Sequence, residues 1–316
     1  MIERKRLHLA PERHPLFCQW EITCRCNLRC VMCYTDCFNR PDMIRNELST
    51  SEIIPIMDEL AAAGCVELCL TGGEPLARRD FLDIYTYAKQ KGFLVTVFTN
   101  GTLITERIAD HWVHYPPSMI EISFHGLTER SFEWITQGSG SYARCLEGIR
   151  LILERNLPLT LKTSGMTVNR NEIFEIKEYV DRLGARYRTK IWYKFGSDIR
   201  PRLDGSEDVC EYQLPEQDVI AIEQADPQFR AERSRQYAQK EEMLRQAKSL
   251  CGGGGQYKFH IDAYGQLQLC SGNRRMSYDL RRGSFSEGFY HALPSFACPF
   301  KADAPAPLIQ PSASHA

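Results

Sequence analysis

Three cysteines near the amino end, Cys26, Cys30 and Cys33, are spaced C-x3-C-x2-C in the run Cys26-Asn27-Leu28-Arg29-Cys30-Val31-Met32-Cys33-Tyr34. Clustered thiolates are the usual ligands of iron–sulfur clusters, and a cubane of four irons normally takes four of them. A loop that supplies three leaves one iron open to another ligand. A structural zinc site is the competing reading, with Cys24 or Cys37 completing four sulfur ligands, or with the register shifted to Cys30-x2-Cys33-x3-Cys37. Further on comes Thr71-Gly72-Gly73-Glu74-Pro75, where glycines would let the backbone approach a ligand closely. Taken alone, that run reads equally well as an ordinary strand-to-helix turn.

The elements that must position these residues alternate regularly. Short apolar runs at Phe17–Thr23, Val66–Thr71, Leu94–Thr99, Met119–Phe124, Leu159–Met166 and Tyr187–Phe195 read as strands. Helical patterns fall between them at Ser51–Ala63, Asp80–Lys91, Thr105–His114, Tyr142–Arg155 and Asn171–Leu183. Ser49, Thr50 or Ser51 is suited to cap the first helix, and Gly64, Gly92 and Gly184 sit where helices should stop. Six strand–helix units predict an α/β fold, a partial (β/α)6 TIM-like barrel with a parallel sheet and helices outside it. Chemistry in barrels sits at the carboxyl ends of the strands. The cysteine loop follows strand one, Gly72-Gly73-Glu74 strand two, Thr99-Asn100-Gly101 strand three, and Ser123 to Gly126 strand four. Four motifs thus converge on one rim.

The cysteine triad and the glycine motif together resemble the signature of the radical S-adenosylmethionine (SAM) superfamily. The resemblance implies a [4Fe–4S] cluster on Cys26, Cys30 and Cys33, whose open iron binds the amino and carboxylate groups of SAM. It also implies a SAM loop at Gly72, Gly73, Glu74 and Pro75, where backbone carbonyls and Glu74 receive the methionine ammonium. Superfamily members commonly carry an aromatic before the third cysteine. Here that residue is Met32, itself polarizable enough to pack on an adenine face, and Tyr34 offers adjacent aromatic surface. Asn100 and Ser123 match rim positions that contact cofactor or substrate in relatives, although Asn-Gly and Ser also suit plain turns. His125 reads as a loop histidine or a substrate contact, and Lys162 and Thr163 on strand five have no assigned role.

A second cysteine set lies downstream. Cys251 and Cys270 bracket Gly265 as C-x13-G-x4-C, with Cys298 beyond. This spacing resembles the opening of the auxiliary-cluster domains called SPASM and twitch. The resemblance implies one auxiliary [4Fe–4S] cluster held by Cys251, Cys270 and Cys298, with Cys210 or a non-protein ligand as the fourth. A full SPASM domain continues with further closely spaced cysteines, and none follow Cys298. A twitch domain ends C-x2-C, and here the last place is Lys301. The other reading is a degenerate domain without a cluster. The expected organisation is a radical SAM partial barrel over residues 1–195 and a small α+β auxiliary-cluster domain with a helical linker over 196–300. A tail rich in Pro, Ala and Ser, residues 301–316, reads as disordered. A helical stretch is expected between Pro215 and Leu250, broken at Pro227, and a hairpin at Tyr257–Ala263 and Gln266–Cys270.

Composition narrows the partners. The 316 residues carry 39 Lys plus Arg against 40 Asp plus Glu, which marks neither nucleic acid nor an anionic membrane. No apolar run approaches the ~20 residues of a membrane span, and the basic start lacks an apolar signal core, so a cytoplasmic address is expected. Thirteen cysteines is an odd number and reads as metal binding plus inert thiols; Cys65, Cys69 and Cys145 belong to the latter. The resemblance implies reductive cleavage of SAM to a 5′-deoxyadenosyl radical that abstracts hydrogen. Maturation of a ribosomally made peptide or protein is the first expectation, and radical oxidation of a small metabolite the second. An electron donor such as a flavodoxin or ferredoxin is implied. A non-catalytic iron–sulfur or zinc protein is the reading from a different class.

Overall fold

The structure is a computed structural model describing residues 13–35, 41–232, 234–235, 238, 254–272 and 274–296. Six parallel strands form its frame: β1 Phe17–Thr23, β2 Glu67–Gly72, β3 Leu94–Thr99, β4 Met119–Ser123, β5 Leu159–Ser164 and β6 Trp192–Gly196. Three short strands follow, β7 Lys258–Ile261, β8 Gln266–Gln268 and β9 Tyr278–Asp279. All nine belong to one open sheet in the order β6-β5-β4-β3-β2-β1-β7-β8-β9. Among the helices, α1 is a single turn, Pro41–Ile44. The others are α2 Thr50–Ala62, α3 Phe81–Gln90, α4 Glu106–His114, α5 Glu129–Thr136, α6 Ser141–Glu154, α7 Ile173–Tyr187 and α8 Glu216–Ala225.

Side chains alternate across each strand, and the two faces have opposite chemistry. Cys18, Trp20 and Ile22 of β1, Leu68 and Leu70 of β2, Val95 and Val97 of β3, and Ile120 and Ile122 of β4 all join the core beneath the helices. Burying each large apolar side chain there contributes about 1.5–3 kcal/mol. The other face carries Gln19, Glu21 and Thr23 of β1, Glu67, Cys69 and Thr71 of β2, Thr96 and Phe98 of β3, Met119, Glu121 and Ser123 of β4, and Lys162 of β5. This concave face is the more polar of the two, and its buried carboxylates Glu21 and Glu121 are paired with cationic side chains.

The second region extends the same sheet. β7 pairs parallel with β1 on the side away from β2, and the antiparallel β7–β8 pair forms the expected hairpin. Phe259 packs against Phe285 and Phe289 at ring-centroid distances of 5.1 and 5.4 Å, which continues the apolar layer under the added strands.

Several boundaries differ from the sequence reading. β6 begins at Trp192, because α7 runs through Gly184 to Tyr187 and ends at Arg188 in the left-handed conformation. Gly184 serves close approach: a Cβ there would lie 3.0 Å from the Thr189 carbonyl oxygen. Helix α5 was not anticipated; eight residues are too few for a clear period, although the Thr128–Ser131 capping box is a legible start. Gly64 and Gly92 end α2 and α3 with positive φ, and Ser49 caps α2 with its N–H donated to Glu52. Helix α8 stops before Pro227. The charged stretch beyond 238 and the tail 301–316 lie outside the described residues.

Candidate functional site

The cysteine loop is held by its backbone. Arg29 and Val31 donate N–H groups to the carbonyls of Thr136 and Ile135 at the end of α5, at 3.0 and 2.9 Å. Leu28 is buried and anchors the loop apolarly. Cys33 N–H closes a turn onto the Cys30 carbonyl. At the loop's start, Cys24 N–H and the Thr23 hydroxyl both donate to Glu47. Cys24 is itself buried and Cys37 lies outside the described residues.

The glycine motif lies directly on this loop. Gly73 N–H donates to the Thr23 carbonyl at 2.9 Å, and Glu74 N–H donates to Arg25 at 2.7 Å. A Cβ on Gly72 would lie 2.2 Å from the Thr23 carbonyl oxygen, and one on Gly73 would lie 2.5 Å from that of Arg25. The two glycines are therefore required where the β2 loop crosses the chain entering Cys26. Pro75 follows, buried, at the head of a 3-10 turn, Pro75–Ala77.

Glu74 ties this crossing to the β3 loop. Its carboxylate accepts from the Thr99 hydroxyl at 2.7 Å, the Asn100 N–H at 2.6 Å and the Leu76 N–H at 3.1 Å. Burial pushes its pKa up to about 7, opposed by those hydrogen bonds. Glu74 is fully buried, and these three donors take three of a carboxylate's roughly four acceptor positions. Asn100 in turn donates from Nδ2 to Asn27 Oδ1 at 2.9 Å, and Asn27 donates to Thr102 at 2.8 Å. Asn27 and Thr102 were not singled out from sequence, and their signal was faint: polar residues beside a cysteine and a turn.

The thiols of Cys26, Cys30 and Cys33 are free. Burial raises Cys26 to about 12 and also holds Cys30 well above the ordinary thiol value, with the neighbouring thiols and Glu74 adding in the same direction. Burial raises the core thiols Cys65 and Cys69 in the same way, so the fit to a metal cluster lies in the donor set, three soft sulfur ligands on one short loop. Among the described residues, no three His, Cys, Asp or Glu converge as a single metal ion requires. In a cubane each thiolate reaches a different iron.

Tyr34 reaches β1 at Glu21, the register partner of Thr71 at the start of the glycine motif. Its hydroxyl donates to Glu21 at 3.3 Å, and Arg274 lies 5.8 Å over its ring. Arg274 also binds both carboxylate oxygens of Glu21, and His260 Nε2 is 3.4 Å away. Burial would raise Glu21, yet the charges and hydrogen bonds of His260 and Arg274 hold it well below the usual carboxylate range. An acid inside apolar β1 was the available sequence signal. Arg202 donates to the Cys33 carbonyl at 3.0 Å, a second tie from the later region to the loop. Ser123 closes β4 on the concave face, paired in register with Lys162. His125 is buried, accepting the Ser164 N–H at 3.1 Å, with its carbonyl held by Asn169.

The second cysteine set is only partly described. Cys210 lies on the 3-10 turn Asp208–Tyr212 and Cys270 just after β8, both half-buried free thiols. Cys251 and Cys298 lie outside the described residues.

The family model for the Radical SAM superfamily matches residues 20–183, which takes in the cysteine loop, the glycine crossing and strands β2 to β5. The chain belongs to the Radical SAM superfamily. The family implies a [4Fe–4S] cluster and SAM. Among curated relatives, an AdoMet-dependent heme synthase of Methanosarcina barkeri is 31% identical over 177 residues, 56% of this chain and 50% of that protein. A PqqA peptide cyclase of Granulibacter bethesdensis is 27% identical over 256 residues, 79% of this chain and 66% of that one. The chain thus spans half to about two thirds of these relatives' length. Streptococcus suis SuiB bound to SAM superposes with a TM-score of 0.65 at 14% identity, covering 88% of this chain and 66% of SuiB. AdoMet-bound anSMEcpe gives 0.63 at 13%, covering 87% and 80%. These likenesses establish the fold, a radical SAM partial barrel. No helix among the described residues is long and apolar enough to cross a membrane.

Proposed function

We propose that this chain is a radical SAM enzyme acting in the maturation of a ribosomally made peptide or protein. The observation that carries the peptide reading is how far the similarity extends. Matches to two PqqA peptide cyclases run over 256 and 271 residues, 79% and 85% of this chain, and a third over 169, whereas the heme synthase matches cover 177 and 166. SuiB bound to its precursor peptide SuiA and anSMEcpe with a bound peptide share the fold. Radical oxidation of a small metabolite is the second reading, favoured by the higher identity to the heme synthase, 31%.

In this reading Cys26, Cys30 and Cys33 hold the cluster, and Gly72, Gly73, Glu74, Pro75, Asn100 and Ser123, with Tyr34 as adjacent aromatic surface, line the SAM site. When bound, the cluster and SAM supply a reductively generated 5′-deoxyadenosyl radical that takes a hydrogen atom from the substrate. The protein's own work is positional. Glu74 fixes the β3 loop against the β2 loop. The Gly73–Arg25 crossing sets where Cys26 points. Tyr34, with Glu21 and Arg274, braces the exit of the cysteine loop against the second region. An auxiliary [4Fe–4S] cluster on Cys251, Cys270 and Cys298, with Cys210 or a non-protein ligand as the fourth, and a flavodoxin or ferredoxin donor complete the proposal.

The test is anaerobic reconstitution followed by reduction with SAM. 5′-Deoxyadenosine formation that disappears in Cys30→Ala supports the reading. Full cluster loading without SAM cleavage favours a non-catalytic iron–sulfur protein. A short precursor-peptide gene beside this one would favour the peptide substrate over the metabolite.

A further inference from the structure

Strands β4, β5 and β6 bring three charged side chains together on the concave face. The Glu121 side chain is 3% exposed, while those of Lys162 and Lys194 are 40% and 54% exposed. Lys162 Nζ lies 3.4 Å from Glu121 Oε1, and Lys194 hydrogen-bonds Oε2, so each ammonium takes a different oxygen of one buried carboxylate. The parallel register sets Lys162 directly beside Lys194 on β6 and beside Ser123 on β4. Lys162 also lies 5.4 Å over the ring of Phe98, which limits where its ammonium can swing. Glu121 is one concave position below Ser123 on its own strand, so the lysines stand at the level of the rim.

Two cations share one anion here. Balancing buried Glu121 requires one lysine, and the second leaves a surplus positive charge on two half-exposed ammonium groups. Each ammonium has three donors, and Glu121 engages one face of each. Neighbouring strands run about 4.8 Å apart, so two adjacent lysines can each give one N–H to the two oxygens of a single carboxylate. Lysine heads are compact point charges without the planar fork of arginine, which suits this one-bond-each geometry.

We propose that Lys162 and Lys194 form an anion subsite for a carboxylate of the substrate, with Glu121 as the positioning residue that holds both ammonium groups over the concave face. This rests on the proposed function in taking that face as the substrate chamber. The carboxylate belongs to an acidic side chain of a peptide or to a free metabolite; the recognition chemistry is the same.

The experiment is calorimetric titration of cluster-loaded, SAM-saturated protein with N-acetyl-L-glutamate amide, its glutamine counterpart and glutarate. Wild type should bind the glutamate probe, more weakly at higher salt, and not the glutamine probe. Lys162→Met and Lys194→Met should each weaken that binding roughly tenfold, the loss of one charge-assisted hydrogen bond. Each variant leaves one lysine on Glu121, so folding is retained, as circular dichroism checks. Tighter binding of the capped glutamate than of glutarate assigns the subsite to a peptide side chain, and the reverse to a metabolite. Equal binding of the glutamine probe, no saturable binding by wild type, or unchanged affinity in both variants overturns the proposal. So does a loss of SAM affinity in the variants, which would give the lysines to the methionine carboxylate. 5′-Deoxyadenosine formation in the same preparations reports separately on the radical reading. Its absence would remove that reading while the titration still decided the subsite.

Discussion

Replacing Gly73 by alanine tests whether the glycine motif acts through the cysteine loop. The new Cβ would lie 2.5 Å from the Arg25 carbonyl oxygen and 2.7 Å from that of Cys24, both backbone atoms. Restoring even the 3.0 Å that real Cβ atoms respect needs a parting of about 0.5 Å. That parting stretches the Glu74–Arg25 hydrogen bond from 2.7 Å and the Gly73–Thr23 bond from 2.9 Å, to roughly 3.2 and 3.4 Å. Weakening two bonds, each worth about 1 kcal/mol net, plus residual overpacking of about 1–2 kcal/mol, gives a local cost of about 2–3 kcal/mol. Because Arg25 directly precedes Cys26, that strain displaces the first thiol. The assay is iron and sulfide per chain after anaerobic reconstitution, with SAM affinity measured on the same samples. Gly73→Ala should load less than half the wild-type iron at the triad and bind SAM at least tenfold more weakly. Gly64→Ala is the control. It sits at φ +87° with no atom within 4 Å of its Cβ, so it costs about 1–2 kcal/mol of backbone strain without touching the loop. Wild-type iron and SAM affinity in Gly73→Ala would refute the reasoning, as would equal iron loss in Gly64→Ala.

Three further outcomes are expected. Glu74→Gln presents an amide N–H₂ to a site of three donors, costing about 1–3 kcal/mol and weakening SAM binding; an unchanged Kd and Tm would contradict the Glu74 network. Cys270→Ala should lower iron from about eight to about four per chain, and unchanged iron would sink the auxiliary cluster. Burial, with Lys162 adding to it, lowers His125 to about 3, below its ordinary 6.5. The unfolded chain then takes up a proton that the native state refuses, so native stability is full above pH 6.5 and falls towards pH 3 by up to about 1.4 kcal/mol per unit. His125→Asn keeps an acceptor for the Ser164 N–H, so its urea midpoint should fall less between pH 6 and pH 4 than that of wild type. Parallel curves would show that His125 is not the group responsible.

Much of the barrel could be read from the chain because its signals are local. β1 to β5 announce themselves by short apolar runs, and α2, α3, α4 and α6 by period and caps, each within a window of a dozen residues. Elements whose limits depend on packing were misread: β6 begins five residues later than expected, and α7 passes through Gly184, which accommodates the returning Thr189 carbonyl. The short helix α5 carried too few turns to show a period, although its end holds the cysteine loop through Thr136 and Ile135.

The sequence by itself determined the ligand types, their spacing and the rim on which they meet, because thiol spacing and strand periodicity are properties of neighbouring residues. Tertiary structure decided what each polar group answers to. Glu74 is spent largely on Thr99, Asn100 and Leu76; Glu21 is bound by Arg274, distant in the chain; and one glutamate on β4 is shared by lysines from β5 and β6. These pairings follow from sheet order and register, with β7 laid against β1 and β6 against β5. Buried charge must find a partner wherever the register places one, and no local pattern records that choice.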